Sequence, residues 1–337
     1  MGRDREHAAT AEAGGRGGRL ELNRPRYVTL PIILVLALIG YVYYMTIFGV
    51  IEDWLGLRTA LGLGNAAIFT ALAIMCLTTY AIAVIRDAGH VPSSFMPDIE
   101  DPQVVVHEIK RKVLHQIGIR ASGTADSGNN SARDGDRSWE LLGESQGGDL
   151  RYCQKCSHYK PPRAHHCRVC KTCVLRMDHH CVWINNCVGH ANYKVFFVFM
   201  LYAVTACIHS LALFLWFVYD VLKGQIHSGG SLKTSHIIYG VLLFPLTLAV
   251  SILLGWHIYL VAHNKTTIEH YEGVRAMWLA KKSGNVYAHP YDLGIYENFI
   301  MVLGSNILCW ICPTSSRSGS GLQFPSSYHS RLDTMPR

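Results

Sequence analysis

Four long runs without a charged residue divide this chain. They cover residues 27–51, 59–85, 195–219 and 234–264, the last most apolar over 237–260. Each exceeds the ~20 residues a helix needs to cross a bilayer, and the first is too long for the apolar region of a cleaved signal peptide. The pattern predicts an all-α polytopic membrane protein with four transmembrane helices and both termini on one side. The intervals between the runs set the domain boundaries. A tail of residues 1–26, rich in Gly, Ala and Arg, cannot build a core and reads as disordered. The paired spans 27–85 and 195–262 enclose a linker, 86–150, and a compact cysteine-rich unit, 151–194. Within the linker, 121–148 (full of Ser, Gly, Asp and Asn) reads as a flexible insert. Residues 263–337 form a C-terminal tail.

Charge adds orientation to this picture. The 337 residues are 50% hydrophobic and 16% charged, against about 25% charged in a soluble domain. The formal net charge of +7 is unevenly spread. Six arginines lie in 1–26, fifteen basic residues in 86–194 and seven beyond 264, against one in 52–58 and two in 220–233. By the positive-inside rule both termini and the cysteine-rich unit face the cytosol. Topology thus accounts for the basic balance, and nucleic acid is not needed as a partner. A transporter is disfavoured too, because the four runs hold no charge and no pair of broken helices stands out.

The chemistry concentrates between Cys153 and Phe196. Seven of the eleven cysteines lie between Cys153 and Cys187, with five histidines among them. That density favours metal over disulfides in a cytosolic unit. The ligand-type residues run Cys153-x2-Cys156, then His166-Cys167-x2-Cys170-x2-Cys173, then His180, then Cys187. Zinc takes four tetrahedral N/S ligands, so two closed sites need eight. Six cysteines and two histidines supply eight and leave one cysteine spare. Cys181 is the candidate for the spare, since Asp178, His179 and His180 precede it. With His180 on zinc, His179 remains as a base beside Cys181 and Asp178 can orient its ring, the logic of an activated nucleophile. The competing count, seven cysteines and one histidine all on zinc, stays open on spacing alone.

The stretch resembles the cysteine-rich domain of the DHHC protein S-acyltransferases, the palmitoyltransferases. Asp178-His179-His180-Cys181 is intact, as are Lys160-Pro161, Arg163, His166-Cys167, Asn192 and Phe196 at family spacing. The resemblance implies one zinc on Cys153, Cys156, His166 and Cys173, a second on Cys167, Cys170, His180 and Cys187, and Cys181 as the residue that carries the acyl group. Val182 departs from the family's usual proline. Past the fourth run, Thr266-Thr267-Ile268-Glu269 resembles the family's Thr-Thr-x-Glu, in which the threonine matching Thr267 contacts the aspartate matching Asp178. The same residues also read as an N-cap and capping box. Asn298 falls in a C-terminal segment to which the resemblance gives a structural role. Arg86-Asp87-Ala88-Gly89 resembles the family's Asp-Pro-Gly motif without its proline and is assigned no chemistry. Lys265 to Glu269, Ala276-Met277-Trp278-Leu279-Ala280 and Cys312-Pro313-Thr314 look like plant members in particular.

Membership of that family would imply an enzyme with two structural zinc ions and acyl-CoA, chiefly palmitoyl-CoA, as co-substrate. Its partners would be the lipid bilayer and cytosolic or membrane proteins with membrane-proximal cysteines. Its address would be the endomembrane system, the Golgi above all. Lys160 and Arg163 are expected on the CoA phosphates, because Arg suits phosphate geometry, and Trp183 at the acyl entrance. The alternative function is a non-catalytic, membrane-anchored zinc-binding scaffold, which leaves Asp178 and His179 unexplained. Cys76 and Cys207 read as core residues. His209 and His257 lie in apolar runs, where an ionisable residue is a functional candidate by default. Both read here as hydrogen-bonded to neighbouring helices. Cys309 and Cys312 read equally as lipidation sites or as inert buried thiols.

Overall fold

The computed structural model describes residues 28–97, 151–224, 232–282, 287–313 and 319–327. The tail 1–26 and the insert 121–148 fall outside them. Four helices are long and apolar enough to cross a membrane: α1 (Leu30–Trp54), α2 (Ala60–Ile85), α3 (Tyr193–Leu222) and α4 (Thr234–Ala262). At 1.5 Å per residue they are about 37–45 Å long, more than a hydrocarbon core of ~30 Å requires. The chain is an integral membrane protein. Local residues set the helix ends. Pro31 sits in the first turn of α1, where its missing N–H costs nothing. The Thr59 hydroxyl caps α2 by accepting from the amide of Gly62 at 3.0 Å. Two further helices, α5 (Thr267–Lys282) and α6 (Ile295–Leu303), follow the fourth span.

The spans pack through two apolar clusters, one at each end. Far from the cysteine-rich unit, Met45–Ile51 of α1 winds as a π-helix and packs on Phe69, Phe214, Phe217 and Leu243. Three hydroxyls there pair with one another rather than being left in apolar surroundings. The Thr46 hydroxyl meets Ser210 at 2.7 Å and Tyr239 at 2.9 Å, and Ser210 also bonds Tyr239. At the same end Lys233 reaches Asp53 at 2.5 Å, and the Trp54 indole donates to Asp220 at 2.9 Å.

The cysteine-rich unit is three short hairpins in series: β1 (Tyr152–Cys153) with β2 (His158–Tyr159), β3 (His165–Cys167) with β4 (Thr172–Val174), and β5 (His179–Cys181) with β6 (Asn186–Val188). They repeat every 14 residues. Cys153, Cys167 and Cys181 are equivalent, as are His166 and His180, and Cys173 and Cys187. Each turn contains a left-handed residue at the same place, Ser157, Lys171 and Asn185, with φ of 56°, 58° and 47°. The last hairpin runs almost directly into α3. Asn186 stitches it to the end of α2, its side-chain amide donating to the carbonyls of Ala83, Val84 and Arg86 at 3.2, 3.3 and 2.8 Å. Those are carbonyls that a helix end leaves without partners. Gly89, at φ 94°, accepts from Leu175 and seats the segment after α2 on the second hairpin.

The segment after α4 closes over this unit through one buried ion pair. Arg163 donates through Nε and Nη2 to the two oxygens of Glu269 at 2.7 and 2.9 Å. Its remaining contacts are Nη1 to Asn264 Oδ1 at 3.2 Å and Nη2 to the Asn264 carbonyl at 2.8 Å. The guanidinium stacks between Tyr291 and Phe324, 4.4 and 4.8 Å from the ring centroids. Glu269 also completes the expected capping box: it accepts from the Thr266 amide at 2.9 Å while its own amide donates to the Thr266 hydroxyl at 3.1 Å. Although burial opposes its charge, Arg163 holds the Glu269 carboxyl well below the usual range. Asn298, fully buried, ties α6 back by donating to the Ala262 carbonyl at 2.8 Å and to Asp292 at 2.7 Å.

Glu269→Ala would leave a buried guanidinium without its carboxylate, a defect that costs about 3–5 kcal/mol. We expect a clear fall in the thermal midpoint of the detergent-solubilised protein with its zinc content retained. An unchanged midpoint would show that the clamp does not hold the C-terminal segment.

Candidate acyl-transfer centre and zinc sites

The hairpin register builds two tetrads. The β1–β2 turn presents Cys153 and Cys156, while β3 and β4 place His166 opposite Cys173. The β3–β4 turn similarly presents Cys167 and Cys170 to His180 and Cys187, which face each other across β5 and β6. The middle hairpin therefore serves both tetrads, its strands one and its turn the other. Each histidine addresses its cysteines through Nδ1. In the first tetrad His166 Nδ1 lies 3.6, 3.2 and 3.9 Å from Cys153, Cys156 and Cys173. In the second, His180 Nδ1 lies 3.7, 3.4 and 3.7 Å from Cys167, Cys170 and Cys187. The sulfur pairs Cys156–Cys173 and Cys170–Cys187 are 3.8 and 3.5 Å apart. Four zinc bonds of about 2.3 Å in a tetrahedron would set sulfurs about 3.8 Å apart. The donors present fit zinc, and both tetrads are closed, with no position left for water or substrate.

Cys181 belongs to neither tetrad. It occupies the place that Cys153 and Cys167 hold in the first two repeats, but Ile184 stands where those repeats have Cys156 and Cys170. Among the described residues no third tetrad of Cys and His surrounds it. The preceding residues differ as well. His165-His166-Cys167 and His179-His180-Cys181 are the same triplet, yet Ala164 precedes the first and Asp178 the second.

Asp178 is fully buried and accepts three hydrogen bonds. The Thr267 amide and hydroxyl donate at 2.9 and 2.8 Å, and His179 Nδ1 lies 2.7 Å from Oδ2. Thr267 opens α5, so the carboxylate sits at the positive end of a helix. Burial opposes the charge of Asp178, but the bonds from His179 and Thr267 outweigh it and hold the carboxyl below the usual range. His179 is pulled two ways. Burial lowers it, whereas Asp178 and the neighbouring Cys181 thiol raise it to about 9. The contact fixes the ring: Nδ1 is committed to Asp178, which leaves Nε2 on the side of Cys181, and a proton shared with that thiol is favoured on the ring.

Cys181 itself is buried in the second apolar cluster, to which all four spans contribute. Ile32 of α1, Tyr80 and Val84 of α2, Phe196 and Met200 of α3, and Leu254 of α4 gather with it, and Val302 and Leu303 of α6 close the group. Trp183 and Val182, just past the thiol, are each 59% exposed, and the Trp183 carbonyl accepts from the Tyr80 hydroxyl at 2.8 Å.

Among the remaining expected residues, Lys160 is half-buried with no side-chain partner among the described residues. Arg163 corrects the sequence reading. It is buried, and Glu269, Asn264 and two aromatic rings occupy its guanidinium, so it is a clamp and not a contact for CoA phosphates. Lys155, Lys171 and Arg168 gather with Lys160 around the first tetrad and bear on His166. Lys155, Arg168 and Lys171 are exposed, so this side of the unit presents a positive surface. Cys76 and Cys207 are buried among helices as expected. Cys309 and Cys312 are half-exposed and belong to no tetrad. His209 pairs with Asn65 on the neighbouring helix at 3.3 Å. His257 also bonds a neighbouring helix, through Tyr193, but it lies beside Asp178 and His179 as well. Only its place inside a span flagged it in the sequence.

Comparison with known proteins agrees with this geometry. A family profile described as DHHC palmitoyltransferase matches residues 146–274. The probable protein S-acyltransferase 16 of Arabidopsis thaliana is 52% identical over 307 residues, covering 91% of this chain and 96% of the relative. The probable protein S-acyltransferase 15 of the same plant is 42% identical over 290 residues, 86% and 98% of the two chains. The palmitoyltransferase ZDHHC15A of Danio rerio is 37% identical over 185 residues, 53% of each.

Metal analysis separates ligands from the spare thiol. Cys153→Ala or Cys170→Ala should lose bound zinc and destabilise the domain, since structural zinc contributes roughly 10–16 kcal/mol in finger peptides. Cys181→Ser should keep two equivalents. A zinc equivalent lost in Cys181→Ser would place that thiol among the ligands.

Proposed function

The chain belongs to the DHHC palmitoyltransferase family, and from that premise we propose that it is a protein S-acyltransferase working through an acyl-Cys181 intermediate. One observation carries the reading. Cys181 is the cysteine of the stretch that stands outside both metal tetrads, and it adjoins a histidine whose far nitrogen is bonded to a buried aspartate. A zinc-binding scaffold has no use for that arrangement, nor for the Thr267 contacts that hold the carboxylate.

Two chemical steps suit this geometry. His179 takes the Cys181 proton, and the thiolate adds to the thioester carbonyl of a long-chain acyl-CoA. The carbon–sulfur bond to CoA breaks, and the departing CoA thiolate recovers the proton from His179. In the second step His179 takes the proton of a substrate cysteine. That thiolate displaces Cys181 from the acyl carbon, and the proton returns to Cys181. This is nucleophilic catalysis with ping-pong kinetics, to which a positioned base typically adds ~10²–10⁴-fold. Asp178 keeps His179 in the productive tautomer and stabilises its protonated form. When bound, zinc supplies folding free energy and rigidity, not reactivity.

The apolar cluster around Cys181 suits a donor whose fatty chain lies among the spans while its headgroup stays in water. On this reading Lys160, with the exposed Lys155, Lys171 and Arg168, meets the CoA phosphates, and the exposed Trp183 lines the acyl entrance. The protein acceptors on this reading carry cysteines close to the membrane. The same chemistry argues for orientation, because acyl-CoA and zinc thiolates both call for a reducing cytosol. We place both termini and the hairpins on that side of an endomembrane, the Golgi being the family's usual address.

Two measurements test this. Incubated with labelled palmitoyl-CoA, the purified protein should acquire a hydroxylamine-sensitive label that Cys181→Ser abolishes. A label persisting in that variant would move the nucleophile elsewhere. Sidedness is read at Asn129-Asn130-Ser131, a glycosylation pattern outside the described residues. We expect no glycan there and cleavage of the segment 121–148 by protease added to sealed microsomes. A glycosidase-sensitive mobility shift mapped to Asn129 would put the hairpins in the lumen and sink the reading.

A further inference from the structure

The base, His179, is fixed by more than Asp178. A single hydrogen bond at Nδ1 leaves an imidazole free to swing about that bond, whereas Nε2 has to stay aimed at one sulfur atom. Two side chains from the membrane helices close off this freedom. Phe196 of α3 meets the His179 ring edge-on, with centroids 5.5 Å apart and planes at 70°. His257 of α4 lies against it at 5.9 Å and 45°. His257 also packs on Phe196, at 5.3 Å, so the three rings form one contact.

His257 is itself held in place. It is buried, and the Tyr193 hydroxyl, at the start of α3, lies 2.9 Å from its Nδ1. The Arg176 guanidinium caps the Tyr193 ring 5.1 Å from its centroid, and Arg176 Nη2 donates to Asn264 Oδ1 at 3.2 Å. A ring nitrogen of His257 shares a 4.8 Å neighbourhood with the Asp178 carboxylate and a ring nitrogen of His179. Phenylalanine would fill a similar space but would lose the ring nitrogens that meet Tyr193 and lie near Asp178 and His179. A polar ring inside a span, at this distance from a buried carboxylate, is costly unless something uses its nitrogens.

We propose that His257, pinned by Tyr193, is a positioning residue for the acyl transfer: it holds the His179 ring so that Nε2 addresses Cys181. This rests on the acyl-transfer reading above, and it makes the fourth span part of the site. The groups that bear on the two rings come from several elements: Asp178 and His179 from the third hairpin, Tyr193 from α3, Arg176 from the loop between β4 and β5, and Thr267 from α5.

The test uses the full-length protein with His257→Phe, His257→Gln, Tyr193→Phe and the double variant Tyr193→Phe/His257→Phe. Two rates are measured at Cys181: acylation at saturating palmitoyl-CoA and alkylation by iodoacetamide, which needs no acyl transfer. Small misplacement of a reacting group costs up to about 10²-fold. We therefore expect His257→Phe to slow both rates by about tenfold or more, with KM for palmitoyl-CoA and zinc content unchanged. His257→Gln should recover most of the loss. Because Tyr193 acts through His257, the double variant should be no slower than His257→Phe, a non-additivity that independent packing defects do not give. A His257→Phe enzyme with wild-type rates, or one impaired only in KM, would overturn the proposal. If alkylation slows in His257→Phe while even the wild type accepts no acyl group, the positioning role survives and the acyl-transfer reading falls instead.

Discussion

The middle hairpin is the constraint on which the rest depends. Its strands give His166 and Cys173 to one tetrad, and its turn gives Cys167 and Cys170 to the other. So small a β-structure has almost no apolar core of its own, and two-strand hairpins are marginal in water. Metal coordination has to supply what burial does not. Because the two tetrads share a hairpin, the three hairpins cannot move independently, and the last one is held at a fixed angle to the first. Cys181 sits at the repeat position that carries a ligand in the other two hairpins, with nothing to coordinate. On the proposed reading, the nucleophile thus stands at a position that carries a metal-ligand candidate in the other two repeats, and it shares their hairpin geometry.

A second layer attaches this rigid unit to the membrane helices, through charge buried at full pairing. Arg163 with Glu269 and Asp178 with Thr267 both join the hairpins to the first turn of α5. A buried ion pair is weak evidence for stability against an apolar alternative, but it is specific in register. Here the register matters, because one helical turn carries the carboxylate that fixes Arg163 and the threonine that fixes Asp178. A slip of α5 by one residue would break both. The Arg163 clamp thereby protects the orientation of His179 from some distance, through Asp178.

Much of this was legible in the sequence, for identifiable reasons. Uncharged runs longer than a bilayer is thick have few readings, and the helices begin and end within a few residues of them. The two-residue gaps flagged the cysteines of both tetrads, but spacing alone left Cys181 open as a further ligand, and the resemblance supplied the division into the two sets that the structure brings together. Thr267 and Glu269 were found by resemblance and by the capping box, and both readings hold at once. Arg163 was misassigned for a physical reason. Spacing shows that an arginine is present, but not whether its donors face solvent or a carboxylate 106 residues away. His257 and Tyr193, 64 residues apart on different spans, leave no local pattern at all. The 14-residue repeat was in the sequence throughout. It is masked because only the ligand positions recur, and its third copy has lost one of them to Ile184.

The position of Cys181 also bears on how one site handles two phases. As the proposed nucleophile, the thiol calls for a base and a buried carboxylate, which belong to the polar hairpins, yet it lies in the apolar cluster that all four spans build. These demands conflict, since burying an ionised carboxylate is expensive unless hydrogen bonds replace its water. Asp178 meets the condition with donors from Thr267 and His179, and the boundary between phases falls between Asp178, just before β5, and Cys181 at its end. An acyl chain entering the cluster would exclude further water from the thioester. The charge on the dyad would then interact with the reacting sulfur through a medium of lower dielectric, where a fixed dipole or charge acts more strongly than in water. Placing the third hairpin directly at the head of α3, with no long intervening loop, is what brings the two phases within reach of one sulfur atom.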